Sequence, residues 1–234
     1  MKKFLVLLAM AAMAATPALA AANSIVGSRH DLSSQNARAG IINVSGSYDE
    51  ICVYCHTPHG ARIAGSPTNT LPLWNRSNVT FSSTDLYNST SLNALSKPST
   101  VSAEVAQSDA PLCISCHDAT NYSKALQNPP NSANSVALTF TGTFSANALL
   151  GTLTNDHPIG MDYVALQTAE GVNEFYDKAT TGLPFYGDGQ KYMWCSSCHD
   201  VHNPGYDASG SYAGTQFMNT TMVGSALCLK CHNK

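Results

Sequence analysis

Charge is scarce in this chain. Asp, Glu, Lys and Arg make up 12% of its 234 residues, about half the usual share of roughly 25%. No block of basic residues occurs, and the formal net charge is −3. That argues against nucleic acid or an anionic membrane surface as a partner. Past residue 20 no apolar run is long enough to span a bilayer. No cysteine follows the small-residue triplet Ala18-Leu19-Ala20, which excludes a lipid anchor there. Cysteine occurs only in four short clusters.

The opening residues read as a secretory signal peptide over 1–20. Lys2 and Lys3 give a charged start, residues 4–15 an apolar run, and Ala18-Leu19-Ala20 an A-x-A cleavage site. The remainder, 21–234, is expected to be exported to the extracellular space or cell surface, with the periplasm as the alternative. Removing the leader takes away two basic residues and no acidic ones. Ten basic residues then face fifteen acidic ones, a formal charge of −5. Ser, Thr, Asn and Gly are abundant instead of charges, so the surface offers little repulsion against self-association.

All eight cysteines fall in four copies of Cys-x-x-Cys-His. These are Cys52, Cys55 and His56; Cys113, Cys116 and His117; Cys195, Cys198 and His199; Cys228, Cys231 and His232. This is the attachment pattern of c-type haem. Two thiols bond to the former vinyl groups on one porphyrin edge, and the adjacent imidazole reaches the iron. A single CxxC reads equally as a zinc knuckle or a thioredoxin-like redox pair. A histidine after all four, with no cysteine left over, favours four haems c per chain. Eight cysteines in an exported chain would otherwise suggest disulfides. The propionates of four haems would make the loaded protein more acidic still.

Histidine gives the second signal. Four histidines lie outside the motifs: His30, His59, His157 and His202. Four six-coordinate irons need four distal ligands, so these are the candidates. Methionine is the competing axial ligand. Met161, Met193, Met218 and Met222 are not needed once the histidines are assigned, and they read as gap-fillers against porphyrin faces. Reach restricts the pairing. Two imidazoles across one iron set their α-carbons roughly 12 Å apart, with metal–nitrogen bonds of about 2 Å. Three extended residues span at most about 10–11 Å. His59 therefore cannot share an iron with His56, nor His202 with His199. The simplest assignment gives His59 to the Cys113 haem and His202 to the Cys228 haem, leaving His30 and His157 for the Cys52 and Cys195 haems.

The chain also repeats itself. Each half reads His, then CxxCHxxH, then CxxCH, with the halves at roughly 21–130 and 131–234. About 214 residues are too few to build a separate polypeptide core beside four porphyrins. The fold class expected is a multihaem cytochrome c: one domain cored by haem, mostly coil, with short helices and little or no sheet. Short helical turns are expected at 51–59 and 112–118, a longer helix at 163–178 and a short strand within 136–144. Residues 65–109 read as an ordered surface loop. Arg29, Arg38, Arg62, Arg76 and Lys124 are candidate propionate partners. Asn43, Asn75, Asn78, Asn88, Asn121 and Asn219 each start a glycosylation acceptor triplet, a pattern that chance produces often in so Asn-, Ser- and Thr-rich a chain.

A signal peptide, four CxxCH motifs, an isolated early histidine and four distal histidines together resemble the tetrahaem extracellular cytochromes that polymerise into conductive filaments, the OmcE type. The resemblance covers the mature chain in motif order. It implies bis-histidine haems in a continuous line and subunits joined end to end. It also implies that one iron takes its distal histidine from a neighbouring subunit, and His30 is the matching position. Electrons would pass to other redox proteins or to extracellular acceptors, with no enzymatic turnover. Two alternatives stay open: a soluble periplasmic tetrahaem shuttle, and a multihaem reductase with an open haem site. The histidine count argues against the reductase, because no haem is left short of a ligand.

Overall fold

Three CxxCH motifs fold as a single helical turn, and the second closes a longer helix. The motif histidine N–H donates to the carbonyl of the first cysteine, from His56 to Cys52 at 2.8 Å, His199 to Cys195 at 3.1 Å and His232 to Cys228 at 2.9 Å. Three residues apart on a helical turn, the two thiols share one face. The computed structural model describes residues 25–33, 42–43, 48–61, 73–76, 85–97, 108–118, 126–130, 140–141, 150, 152–203 and 217–234. The proposed signal peptide, Arg38, Arg62, Lys124 and most of the 65–109 loop lie outside them.

The first motif begins in a 3-10 turn, Ile51–Tyr54. The second ends helix α1, Ala110–His117, which carries proline in its first turn, where a missing N–H costs nothing. Helices α2 (Tyr163–Glu170) and α3 (Lys178–Thr181) follow. The third and fourth motifs form α4 (Cys195–Cys198) and α5 (Cys228–Cys231). Strands β1 (Ile42–Asn43) and β2 (Phe140–Thr141) pair antiparallel, and β2 falls inside the expected 136–144 strand.

The single helix expected over 163–178 is broken. Asp162 caps α2 by accepting from the Ala165 N–H at 2.9 Å, and Gly171 ends it at φ +79°. Asp177 caps α3 in the same way, through the Ala179 N–H at 2.8 Å. The apolar period misled because Val164 and Val172 face solvent while Leu166 is buried.

Polypeptide core exists, in pieces. One cluster joins Leu86, Ala110, Ile114, Leu153, Tyr192 and Trp194. A second joins Met161, Tyr163, Leu166, Phe185, Met193 and Cys231. A third pairs Tyr54 with Leu126. The clusters touch Cys195, Cys231 and Cys55 respectively. The expectation of no separate polypeptide core is therefore corrected: small apolar clusters abut the motifs. Met161 and Met193 pack among the polypeptide side chains of the second.

Candidate functional site

Three motifs share one backbone device. After each histidine the chain is extended and bridges antiparallel to a distant residue: His56 to Trp74, His199 to Met218 and His232 to Phe175. The residue after each partner donates its N–H to the second cysteine. Asn75 reaches the Cys55 carbonyl at 2.8 Å, Asn219 that of Cys198 at 2.8 Å and Tyr176 that of Cys231 at 2.9 Å. The residue after each histidine donates back: Thr57 to Leu73, Asp200 to Phe217 and Asn233 to Glu174. This hook satisfies the last carbonyls of a one-turn helix and fixes the direction in which the histidine leaves the backbone. Leu73 and Phe217 take up positive φ, +36° and +61°. That is costly for a side chain with Cβ, and the hook holds it in place.

Side-chain amides reinforce two of the hooks. Asn75 is fully buried. Its Nδ2 donates to the carbonyls of Val53 (2.7 Å) and Asn128 (3.1 Å), and its Oδ1 accepts from the Asn128 N–H at 2.8 Å. Asn219 Nδ2 donates to the carbonyls of Ser196 and Ser197, both at 3.0 Å. Both amides are engaged within the chain. For Asn75 burial closes the acceptor reading outright.

The second motif is tied differently. The Asp109 carboxylate accepts from the Ser196 N–H at 2.7 Å and from the Ser196 hydroxyl, which joins α1 to α4. Asp109, Cys113 and Cys195 thereby converge, their ligating atoms within 4.8 Å of one another. The first cysteines of motifs two and three are neighbours. Burial pushes the Cys55 thiol up to about 12, and Cys116 adds to the shift. Burial pushes Cys198 up to about 11, with Cys231 adding. Consecutive motifs thus adjoin along the chain. A thioredoxin-like pair needs a depressed thiol, and the shifts of Cys55, Cys113, Cys198 and Cys231 are all upward. All eight cysteines are free of disulfides.

The histidines meet in pairs, and each pair joins a motif histidine to one outside the motifs. His30 faces His117 with ring centres 6.0 Å apart. His202 faces His56 at 6.2 Å. His157 faces His232 at 6.4 Å. Two imidazoles sharing one iron would have ring centres about 6.2 Å apart, from two bonds of about 2 Å and about 1.1 Å from each nitrogen to its ring centre. The spacing of these three pairs fits that span.

No family model matches the chain, and no curated protein matches it.

The pairing inferred from sequence order is corrected. His202 lies at the Cys52 motif and not at Cys228. His30 lies at the Cys113 motif and not at Cys52. His157 lies at the Cys228 motif and not at Cys195. Proximity in sequence was the wrong guide, because the hooks turn each motif toward a distant segment. His30 is firmly seated. Its ring stacks on Phe217, with centres 4.4 Å apart and planes 17° apart. Asp31 beside it is buried and accepts from the N–H of Gly27 (2.6 Å), the N–H of Ser33 (3.2 Å) and the Ser33 hydroxyl (2.6 Å). Burial lowers His30 to about 4, with His117, His199 and His202 adding to the shift. Burial also lowers His232, and His157 contributes. A neutral imidazole is the ligating form. His157 Nδ1 lies 2.8 Å from the Pro158 carbonyl, and donating there leaves Nε2 for metal.

Of the five basic residues considered for propionates, Arg76 is placed best. It is buried, its guanidinium donates to the Ser115 carbonyl at 3.5 Å, and its charge acts on Cys55. Arg29 is exposed. Trp74 Nε1 is buried and finds no acceptor among the described residues, which leaves a donor for a carboxylate. Asn75, Asp109 and Phe217 went unnoticed in the sequence. The nearest signal was Asn75, flagged there only as an acceptor triplet.

Proposed function

We propose that this chain carries electrons through four covalently attached haems, each held between two imidazoles. The observation that carries the reading is the set of three histidine pairs at 6.0, 6.2 and 6.4 Å. Bound haem supplies a reversible one-electron iron couple. The protein's part is fixed by its residues. The eight thiols would anchor the haems, the paired imidazoles would ligate their irons, the hooks fix the backbone of three motifs, and Asp109 ties the second motif to the third. Two imidazoles per iron leave no position for a substrate, so the reductase reading falls behind.

The resemblance supports an exported filament, joined end to end. One observation favours the second reading, a soluble periplasmic shuttle: His30 lies opposite His117 of its own chain, where it would satisfy an iron without a neighbour. Among the described residues no helix is long and apolar enough to cross a membrane.

The test is a reductive titration of the matured protein under carbon monoxide. All four irons should stay low-spin, titrate at low potential and bind no carbon monoxide. Rapid ligand binding at any iron would restore the reductase reading. Electron microscopy of the same material separates filament from shuttle.

A further inference from the structure

We propose that electrons cross between the two halves of the chain at the second and third motifs: the haems anchored there meet at the Cys113 and Cys195 thioethers, and the Asp109 carboxylate, facing both sulfurs, sets the potential of both. The proposal rests on the four-haem reading above and deepens it by naming one junction and the residue that tunes it. Three observations carry it.

The first is contact between anchoring atoms. A carboxylate oxygen of Asp109 and the sulfurs of Cys113 and Cys195 all lie within 4.8 Å of one another. Cys113 belongs to the first half of the chain and Cys195 to the second. A thioether sulfur is bonded to the carbon that joins the porphyrin ring. Two sulfurs this close therefore set two porphyrin edges side by side. Attachment needs no oxidant: each S–H adds across a vinyl group, sulfur to one carbon and hydrogen to the other. The crossing itself moves one electron from a ferrous to a ferric iron.

The second is the way Asp109 is held. Its carbonyl accepts from the N–H of Leu112 at 3.0 Å and of Cys113 at 3.2 Å, at the start of α1. Its Oδ2 lies 3.8 Å from Cys113 Sγ and accepts from the Ser196 N–H at 2.7 Å and from the Ser196 hydroxyl. Beside it, Ala110 of α1 and Trp194, which precedes Cys195, are fully buried in one apolar cluster. The carboxylate is therefore fixed to both motifs by elements that pack together.

The third is its environment. Asp109 Oδ1 is buried and accepts no hydrogen bond among the described residues. Buried polar atoms are nearly always bonded, so part of this charge is left to act on its surroundings. Burial raises the Asp109 carboxyl above its ordinary range, and the Ser196 donors oppose that. Away from water a negative charge acts strongly on its neighbours. It favours the ferric state of each nearby iron and lowers both midpoints.

The test is Asp109→Asn in the matured protein, which keeps an oxygen acceptor for Ser196 and removes the charge. Proton NMR of the haem methyl groups during stepwise reduction follows each iron separately, at neutral and at alkaline pH, where the carboxyl is ionised. In the unmodified protein, reducing the second motif's haem should lower the midpoint of the third, and the reverse. In the variant, four haems should remain by mass and those two midpoints should rise together, with the other two unmoved. A rise at one haem only, at another pair or at none overturns the proposal, as does an unmodified protein whose second and third haems titrate independently. Should the variant fail to mature, a structure of the unmodified holoprotein decides: Cys113 and Cys195 sulfurs in contact beside Asp109 support the junction, and sulfurs held apart by other side chains overturn it. A mass below four haems in the unmodified chain would sink the four-haem reading, and the junction with it, whereas the other failures leave that reading standing.

Discussion

His157→Ala should open an axial position at one iron in four. The His157 ring sits 6.4 Å from that of His232, and its side chain is exposed, so truncation removes little packing. Cys228 and Cys231 are untouched, so haem should still attach there. The variant should contain four haems and show about one quarter of its iron as high-spin. It should bind one carbon monoxide per chain when reduced, where the unmodified protein binds none. Visible spectra before and after carbon monoxide read this directly. Four low-spin irons in the variant would mean that His157 is not a ligand, and that its approach to His232 is packing alone.

Asn75→Ala should be among the most destabilising single changes in the chain. It strands three groups at once: the carbonyls of Val53 and Asn128 and the N–H of Asn128. Each buried unpaired group costs about 1–3 kcal/mol. Partial access of water to the 126–130 segment tempers the sum, so the expected loss is about 3 kcal/mol. For a chain of this size that lowers the thermal midpoint by roughly 6–12 °C, at about 2–4 °C per kcal/mol. Asn219→Ala removes the matching amide from an exposed position and should cost under about 1 kcal/mol. Asn88→Ala, at an exposed asparagine in the same kind of triplet, should stay within about 0.5 kcal/mol. Equal midpoints for the Asn75 and Asn88 variants would show that the first hook does not hold its motif.

The four motifs were legible because each is a short local pattern. The histidines outside them were legible by counting. Their pairing was not, since His202 meets His56 only after the halves fold together, and nothing local marks the encounter. The hooks were hidden for a related reason. Leu73 and Phe217 are residues from which no one would read a positive φ, and their strain is held by bonds to distant carbonyls. Asn75 carried a visible pattern that pointed the wrong way, toward the surface. Helix α2 was found but overrun, because Val172 and Tyr176 keep the apolar period beyond Gly171 while facing solvent.

Whether every cysteine here anchors haem is decided by the intact mass of the matured protein. From a host with working haem attachment, the mass should equal the processed polypeptide plus four haems, with no free thiol left to alkylate. A mass matching three or fewer haems, or a chain whose cysteines are recovered as disulfides or as zinc-bound thiolates, would contradict the account.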